Sequence, residues 1–237
     1  MRIGLLVASL STTALFVALG MWQFDRAAQK RLMFAEFERR SNAPEMDLNQ
    51  SAVSHSAVLT GRRAAAAGHY RGTTILLDNQ VHRGRAGYLV YTAFELNGRK
   101  ESVLVNRGWI RASADRSRAP ELATPTVSQR LEGRLSPPPK GGLRLEGSNL
   151  IEQLADGMWR VQAIDFVGLT ANVGVELLPI TVLLDDNAPY GFVRAWTSPG
   201  SDETRHLGYM FQWFALAVTV VVVTVILTLR SGKADMP

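Results

Sequence analysis

IGLLVASLSTTALFVALGMWQF, residues 3–24, and LGYMFQWFALAVTVVVVTVILTL, residues 207–229, hold no charged side chain. A helix needs about 20 consecutive apolar residues to cross the hydrocarbon core of a bilayer, and each run meets that length. The residues between them have ordinary mixed composition. The pattern predicts two transmembrane helices, near the two ends of the chain, bracketing a domain over 45–200, with a short tail at 230–237. Two crossings put both termini on one side and the domain on the other. The first run has a rival reading as a signal peptide ending at Ala18-Leu19-Gly20. Its basic start is only Arg2, however, and the apolar run continues past that point through Met21, Trp22 and Phe24, so a retained anchor is expected. A tryptophan at the end of a span suits the membrane interface.

The chain has 237 residues, enough for one sizeable domain besides the anchors. Its net charge of +5 is mild, and the basic residues are scattered rather than clustered on one stretch. A nucleic-acid partner is not expected, because that needs a basic face with stacking aromatics. Contact with the lipid bilayer and its anionic headgroups accounts for the same arginines. The absence of cysteine excludes a disulfide framework, a thiolate metal site and a cysteine nucleophile. Arg230 and Lys233 fit a cytoplasmic tail, whereas Arg26, Lys30 and Arg31 after the first run pull the other way. Large translocated domains need not follow charge bias, so orientation stays open at this level.

Good helix formers follow the first run, from Ala27 to Met33, and the first helix is predicted to continue to about residue 40. It should break at Ser41-Asn42-Ala43-Pro44. The middle then reads as β-rich. Residues 73–78, 87–96, 102–106, 130–135 and 180–185 are short runs of β-branched, aromatic and aliphatic side chains separated by Asn, Gly and Pro. Asn97-Gly98 between two of them predicts a hairpin with a tight primed turn. Pro137-Pro138-Pro139-Lys140-Gly141-Gly142 must be a loop. Val161–Asn172 is predicted as a helix. Many short strands at hairpin spacing imply an α+β domain built on an antiparallel barrel or sandwich.

No phosphate loop, dinucleotide fingerprint or nucleophile elbow is present. Gly84-Arg85-Ala86-Gly87 reads as a turn and Asp185-Asp186 as a strand end with a turn cap. His55, His69 and His82 lack metal-ligand spacing and read as ordinary histidines. A hydrolase built on Asp78 or His82 would lack a nucleophile–base–orienter set, so no catalytic residue is assigned. His206 differs. Helical spacing puts it on one face with Tyr209, Met210 and Trp213 at the opening of the second run. An imidazole there can ligate haem iron or another metal, or it can be an ordinary interfacial residue in an aromatic belt. Gly208 would let a flat group or another helix approach. Topology sets Trp22, Gln23 and Arg26 at the same membrane depth, with Arg26 and Arg205 available to a carboxylate.

Four stretches in order carry a resemblance. They are Leu19-Gly20-Met21-Trp22-Gln23-Phe24-Asp25-Arg26, then Gly87–Phe94 (GYLVYTAF), then Val103–Ile110 (VLVNRGWI), and finally His206-Leu207-Gly208-Tyr209 with Gln212-Trp213-Phe214. Together they resemble the Surfeit locus protein family, whose first-named member is a cytochrome c oxidase assembly factor. The chain departs from that family's common pattern at Ala93, Arg111 and Arg205, which touches local loop geometry but not the histidine. The resemblance implies an assembly factor rather than an enzyme, with its domain outside the cytoplasm. It implies haem a as the group bound, His206 as the residue that contacts it, and the large catalytic subunit of the oxidase and haem a synthase as partners. A scaffold for oxidase subunits that never touches haem is the alternative. No Arg- and Ser-rich transit segment precedes the first run, so a bacterial plasma membrane, domain on the periplasmic side, is expected. The residues expected at the site are His206, Trp22, Arg26, Tyr209 and Trp213.

Overall fold

A computed structural model describes residues 2–53, 59–139, 151–200 and 202–234. They fall into two compact units. One joins the residues up to Glu36 with those from Thr197 onward, and the other is Phe37–Trp196.

The first unit is a pair of helices, α1 (Arg2–Ser41) and the C-terminal helix α3 (Glu203–Ala234). At 1.5 Å per residue α1 is about 60 Å long, twice the roughly 30 Å hydrocarbon core, so its polar continuation must extend beyond any bilayer it crosses. Both helices are long and apolar enough to span a membrane. Their large apolar side chains face outward, with Leu10 73% and Phe211 71% exposed, where a water-soluble helix would bury them. What the pair does bury, wholly or in part, is a narrow stripe at alternating three- and four-residue steps: Ser9, Thr13, Phe16, Gly20, Gln23 and Ala27 on α1, and His206, Met210, Trp213, Ala217, Val220 and Thr224 on α3. That is the 3.5-residue seam of two helices packed antiparallel. Thr224 Oγ1 donates to Ser9 Oγ at 2.8 Å, and the Phe16 and Trp213 rings lie 5.6 Å apart. A Cβ on Gly20 would come within 2.8 Å of the Phe214 ring, so a small residue is needed there. Close approach thus occurs at Gly20. Gly208, where it was expected, has open space around it.

The second unit is a mixed sheet of eight strands: β1 (Met46–Asp47), β2 (Arg63–His82), β3 (Arg85–Leu96), β4 (Ser102–Arg111), β5 (Gln129–Ser136), β6 (Ile151–Ala155), β7 (Met158–Val161) and, after helix α2 (Phe166–Val173), β8 (Leu177–Leu184). Pairings run β2–β3–β4–β8–β5 and return to β2. Side chains from those five strands share one core, including Tyr70, Phe94, Val105, Leu131, Ile180 and Val182. The opposite face of β2–β4 is covered by Leu169 of α2 and by Val161 and Val175.

The expectation of an antiparallel sheet is corrected. β1–β2, β2–β7 and β4–β8 are parallel pairs. Hairpin spacing reports only on neighbours in sequence. β8 returns through α2 and inserts between β4 and β5, and such a crossover permits a parallel partner. The predicted helix over Val161–Asn172 is shortened to Phe166–Val173, because Val161 ends β7 and the Asp165 side chain caps the helix by accepting from the Val167 N–H. Gly174, at φ 65°, stops it.

The hairpin around Asn97-Gly98 joins β3 and β4, but only Gly98 has positive φ, and β4 starts at Ser102. It is therefore not the two-residue primed turn. That turn sits instead at the β2–β3 tip, where Arg83 (φ 49°) and Gly84 (φ 74°) are both left-handed. Pro137–Pro139 lie outside the strands, while Lys140, Gly141 and Gly142 fall outside the described residues.

The segment Asn106-Arg107-Gly108-Trp109 is tied into the sheet unit by its side chains. Asn106 Oδ1 accepts from the Gly108 N–H, and Trp109 Nε1 donates to the Gln80 carbonyl at 2.8 Å. Gly108 has φ 114°, and a Cβ there would meet the Val193 carbonyl at 2.7 Å. Arg107 is fully buried, and among the described residues no carboxylate pairs with it. Its guanidinium donates to the carbonyls of Tyr190 and Ala123 and to the hydroxyls of Thr92 and Thr124, with Tyr70 and Phe192 rings against it. Burial pulls its pKa down, while burial raises the Tyr70 phenol to about 12, so Tyr70 supplies no phenolate to balance the charge.

Candidate functional site

The seam between α1 and α3 changes character toward the N-terminus of α3. Below, it is hydroxyl and aromatic. From Gln23 onward it is polar and charged. Lys30 Nζ lies 3.1 Å from Asp202 Oδ1, and the Arg31 guanidinium bonds Glu203 at 2.7 Å. The hydrogen bond from Lys30 is the largest of the effects that hold the Asp202 carboxyl below its ordinary range. The acidic residues at the start of α3 also suit the positive end of its dipole.

His206 sits at this transition, its side chain 19% exposed. Its Nδ1 lies 2.8 Å from Gln23 Oε1. An amide oxygen only accepts, so Nδ1 carries the proton in the neutral ring and Nε2 carries the lone pair. Nε2 makes no hydrogen bond. Its nearest partner is Asp202 Oδ2 at 3.7 Å, beyond hydrogen-bond reach. A histidine whose one nitrogen is tied to an acceptor and whose other is free has the arrangement of a metal ligand, where the tied nitrogen fixes tautomer and ring orientation.

The structure brings together only some of the residues expected around it. Trp213 lies on the seam, against Phe16 and one turn beyond Met210. Trp22 and Tyr209 do not: they are 54% and 47% exposed and point away from the partner helix. Arg26 is also exposed, with its guanidinium bonded to Gln29 on its own helix at 2.9 Å. The physical reason is the 3.5-residue seam, which selects positions 16, 20, 23 and 27 of α1 and turns 22 and 26 outward. The partner of His206 is Gln23, which sequence reading placed at the right depth but gave no role. An antiparallel heptad count would have found it.

His206 would offer one ring nitrogen, Nε2, to a metal-bearing group. Arg26 and Arg205, both exposed, could meet carboxylates of a bound group, whereas Lys30 and Arg31 are engaged by Asp202 and Glu203. Elsewhere the histidines have other neighbours. His69 is 3.9 Å from Glu95, itself bonded to Arg71, and His82 packs on the Trp109 ring. His55 lies outside the described residues. Asp78 pairs with Arg116 at 3.3 Å, and Asp185 accepts from the Asn187 N–H as a turn cap. Among the described residues no group of three or more His, Asp or Glu could hold a metal ion.

Two comparisons bear on this arrangement. The SURF1 family model matches residues 10–218, which takes in most of α1, the sheet unit and the first half of α3. A SURF1-like protein of Monosiga brevicollis is 25% identical over 256 aligned residues, 97% of this chain and 90% of its own length.

Proposed function

Since the chain belongs to the SURF1 family, linked to cytochrome oxidase assembly, we propose that it holds haem a through His206 and presents it to the large catalytic subunit of the oxidase. The observation that supports this most directly is the bond between His206 Nδ1 and Gln23 Oε1, which leaves Nε2 as the free nitrogen. Haem a is cargo here, the redox group of the mature oxidase. The chain's own part is to bind it, to orient the imidazole through Gln23, and to meet its carboxylates with Arg26 and Arg205. Haem a synthase is the natural donor in this scheme.

Full-length protein purified from membranes of cells that make haem a is expected to carry an a-type haem absorption spectrum. A colourless protein that still restores oxidase assembly in a deletion strain would sink the haem proposal. It would favour a scaffold for oxidase subunits. One observation favours that second reading: the Asp202 carboxylate, four residues earlier, lies 3.7 Å from Nε2, the nitrogen a metal would take.

The proposal also fixes a setting: a bacterial plasma membrane, crossed by α1 and α3, with the sheet unit on the periplasmic side. Reporter fusions check it. Fusions at either terminus should be active only as cytoplasmic reporters, and insertions at residues 97–99 only as periplasmic ones. The opposite pattern, or a mature N-terminus at Met21, refutes it.

A further inference from the structure

The tip of the β2–β3 hairpin is built from residues that strain it and charge it. Arg83 occupies the left-handed region, which arginine rarely adopts, at φ 49°. With Arg85 it stands exposed on either side of Gly84. Behind the tip lies a cleft of about 450 Å³, bounded by His82, Arg83, Arg85, Trp109, Val193 and Arg194. Its floor is the Trp109 indole. A Cβ on Gly87 would come within 2.5 Å of that ring, so the glycine is what lets the indole lie across the strand. The His82 ring meets the indole at 5.3 Å. Arg194 is held by backbone: its Nη1 donates to the carbonyls of Asp185 and Ala188 at 2.6 and 2.9 Å.

No carboxylate lines this cleft, and among the described residues Arg83, Arg85 and Arg194 make no ion pair. Three arginines without an ion-pair partner among the described residues border one space, which suits an anion, and the exposed forks of Arg83 and Arg85 fit phosphate oxygens. The volume lies within the range of roughly 300–1,000 Å³ typical of small-molecule sites and is far larger than a lone phosphate requires. The remaining wall is the His82 ring and the apolar surface of the indole, Val193 and Ala195, and Val81 on the same tip is 71% exposed. A ligand with a phosphate at one end and a hydrocarbon or ester portion at the other fills such a cleft. The chain carries two helices fit for a bilayer, so phospholipid is at hand as a phosphate-bearing ligand wherever they insert. We propose that this cleft binds the phosphate of an anionic phospholipid headgroup, with Arg83 and Arg85 as its ligands and Trp109 against the glycerol portion. An exposed arginine held in a strained turn is then explained by the position of its guanidinium.

The test uses the full-length protein in maltoside micelles and amide hydrogen exchange at residues 80–87. Dihexanoyl phosphatidylglycerol should slow exchange there saturably, and dihexanoyl phosphatidylcholine much less. Each lost charge-assisted contact weakens binding roughly tenfold. The double variant Arg83→Gln/Arg85→Gln should therefore need about a hundredfold more phosphatidylglycerol for the same protection. Both side chains are exposed and unpaired, so its melting curve should match that of the parent. Three outcomes overturn the proposal: no protection by phosphatidylglycerol; protection that survives in the double variant; or equal protection by inorganic phosphate or an acidic hexapeptide. Equal protection by phosphate would mean a free-anion site, and by the peptide a protein-docking site.

Discussion

Arg107→Lys is expected to lower the stability of the sheet unit by about 3–5 kcal/mol, nearly as much as Arg107→Ala, because the charge is retained but its partners are lost. A guanidinium has five N–H groups, and here one is accepted by Thr92 of β3 and four by two segments outside the strands, residues 123–124 and Tyr190. An ammonium has three, all at one point, and cannot reach both segments at once. The carbonyls of Ala123 and Tyr190, on residues that are themselves exposed, would lose their donors, and a cation would remain in the core with fewer bonds than it needs. Tyr190 sits at φ 61°, a strained position for tyrosine, and the two bonds to its carbonyl help hold it there. For a unit of this size the loss corresponds to a fall in Tm of about 10 °C. Faster amide exchange at residues 120–126 and 188–194 should accompany it. A lysine variant that melts within a degree or two of the parent would show that the clasp is not what organises these segments.

Arg107 also shows where sequence reading stopped short. The stretch Asn106-Arg107-Gly108-Trp109 stood out as a motif, and a motif invites a functional role. Burial gives it a structural one: the Arg107 guanidinium and Trp109 Nε1 tie β4 to neighbouring strands and loops, while Asn106 Oδ1 braces Gly108 within β4. Nothing in the spacing of these residues could show that the arginine points inward without an acid.

The two long apolar helices were legible, because length and absence of charge are sums over many residues. Most strands were legible for the same reason, through their runs of β-branched and aliphatic side chains. The front half of β2 was not. Arg63-Ala64-Ala65-Ala66-Ala67 has the composition of a helix, and only its place beside β5 and the core makes small side chains right for a strand. Parallel pairing was illegible because it depends on β8 returning from a distance. The primed turn was assigned to Asn97-Gly98 on turn chemistry and formed at Arg83-Gly84 instead, where strand register outweighs the cost of a left-handed arginine. At the helix pair, the histidine was legible by position. Its partner was not, because a 3.6-residue face drawn on one helix ignores the 3.5-residue seam that a second helix imposes.

His206→Ala should abolish the a-haem spectrum while leaving the protein inserted and folded, since alanine keeps the apolar length of α3 and supplies no iron ligand. That variant alone shows only that a ligand was lost. The sharper measurement is at Gln23. Gln23→Leu leaves His206 in place but removes the acceptor that fixes Nδ1, freeing the ring to rotate and to exchange tautomers. Orienting partners of metal-bound histidines typically contribute about 10–100-fold to affinity, so haem retention should weaken by that order with a shifted spectrum. Gln23→Glu restores an acceptor at the same place and should recover binding, with the ligand made more electron-rich by a charged partner. Trp22→Ala, Arg26→Ala, Tyr209→Ala and Trp213→Ala should each cost less, because three of these side chains point off the seam and Trp213 lies on it beside Phe16. His69→Ala and His82→Ala should leave the spectrum alone, as should His55→Ala. An unchanged spectrum and oxidase yield in His206→Ala would move the assignment to the scaffold reading. Equal losses from all four histidine variants would point to impaired folding instead. If Gln23→Leu matched the parent while His206→Ala lost haem, then the histidine binds without the orienting bond, and the geometry of the helix seam plays no part in its selection.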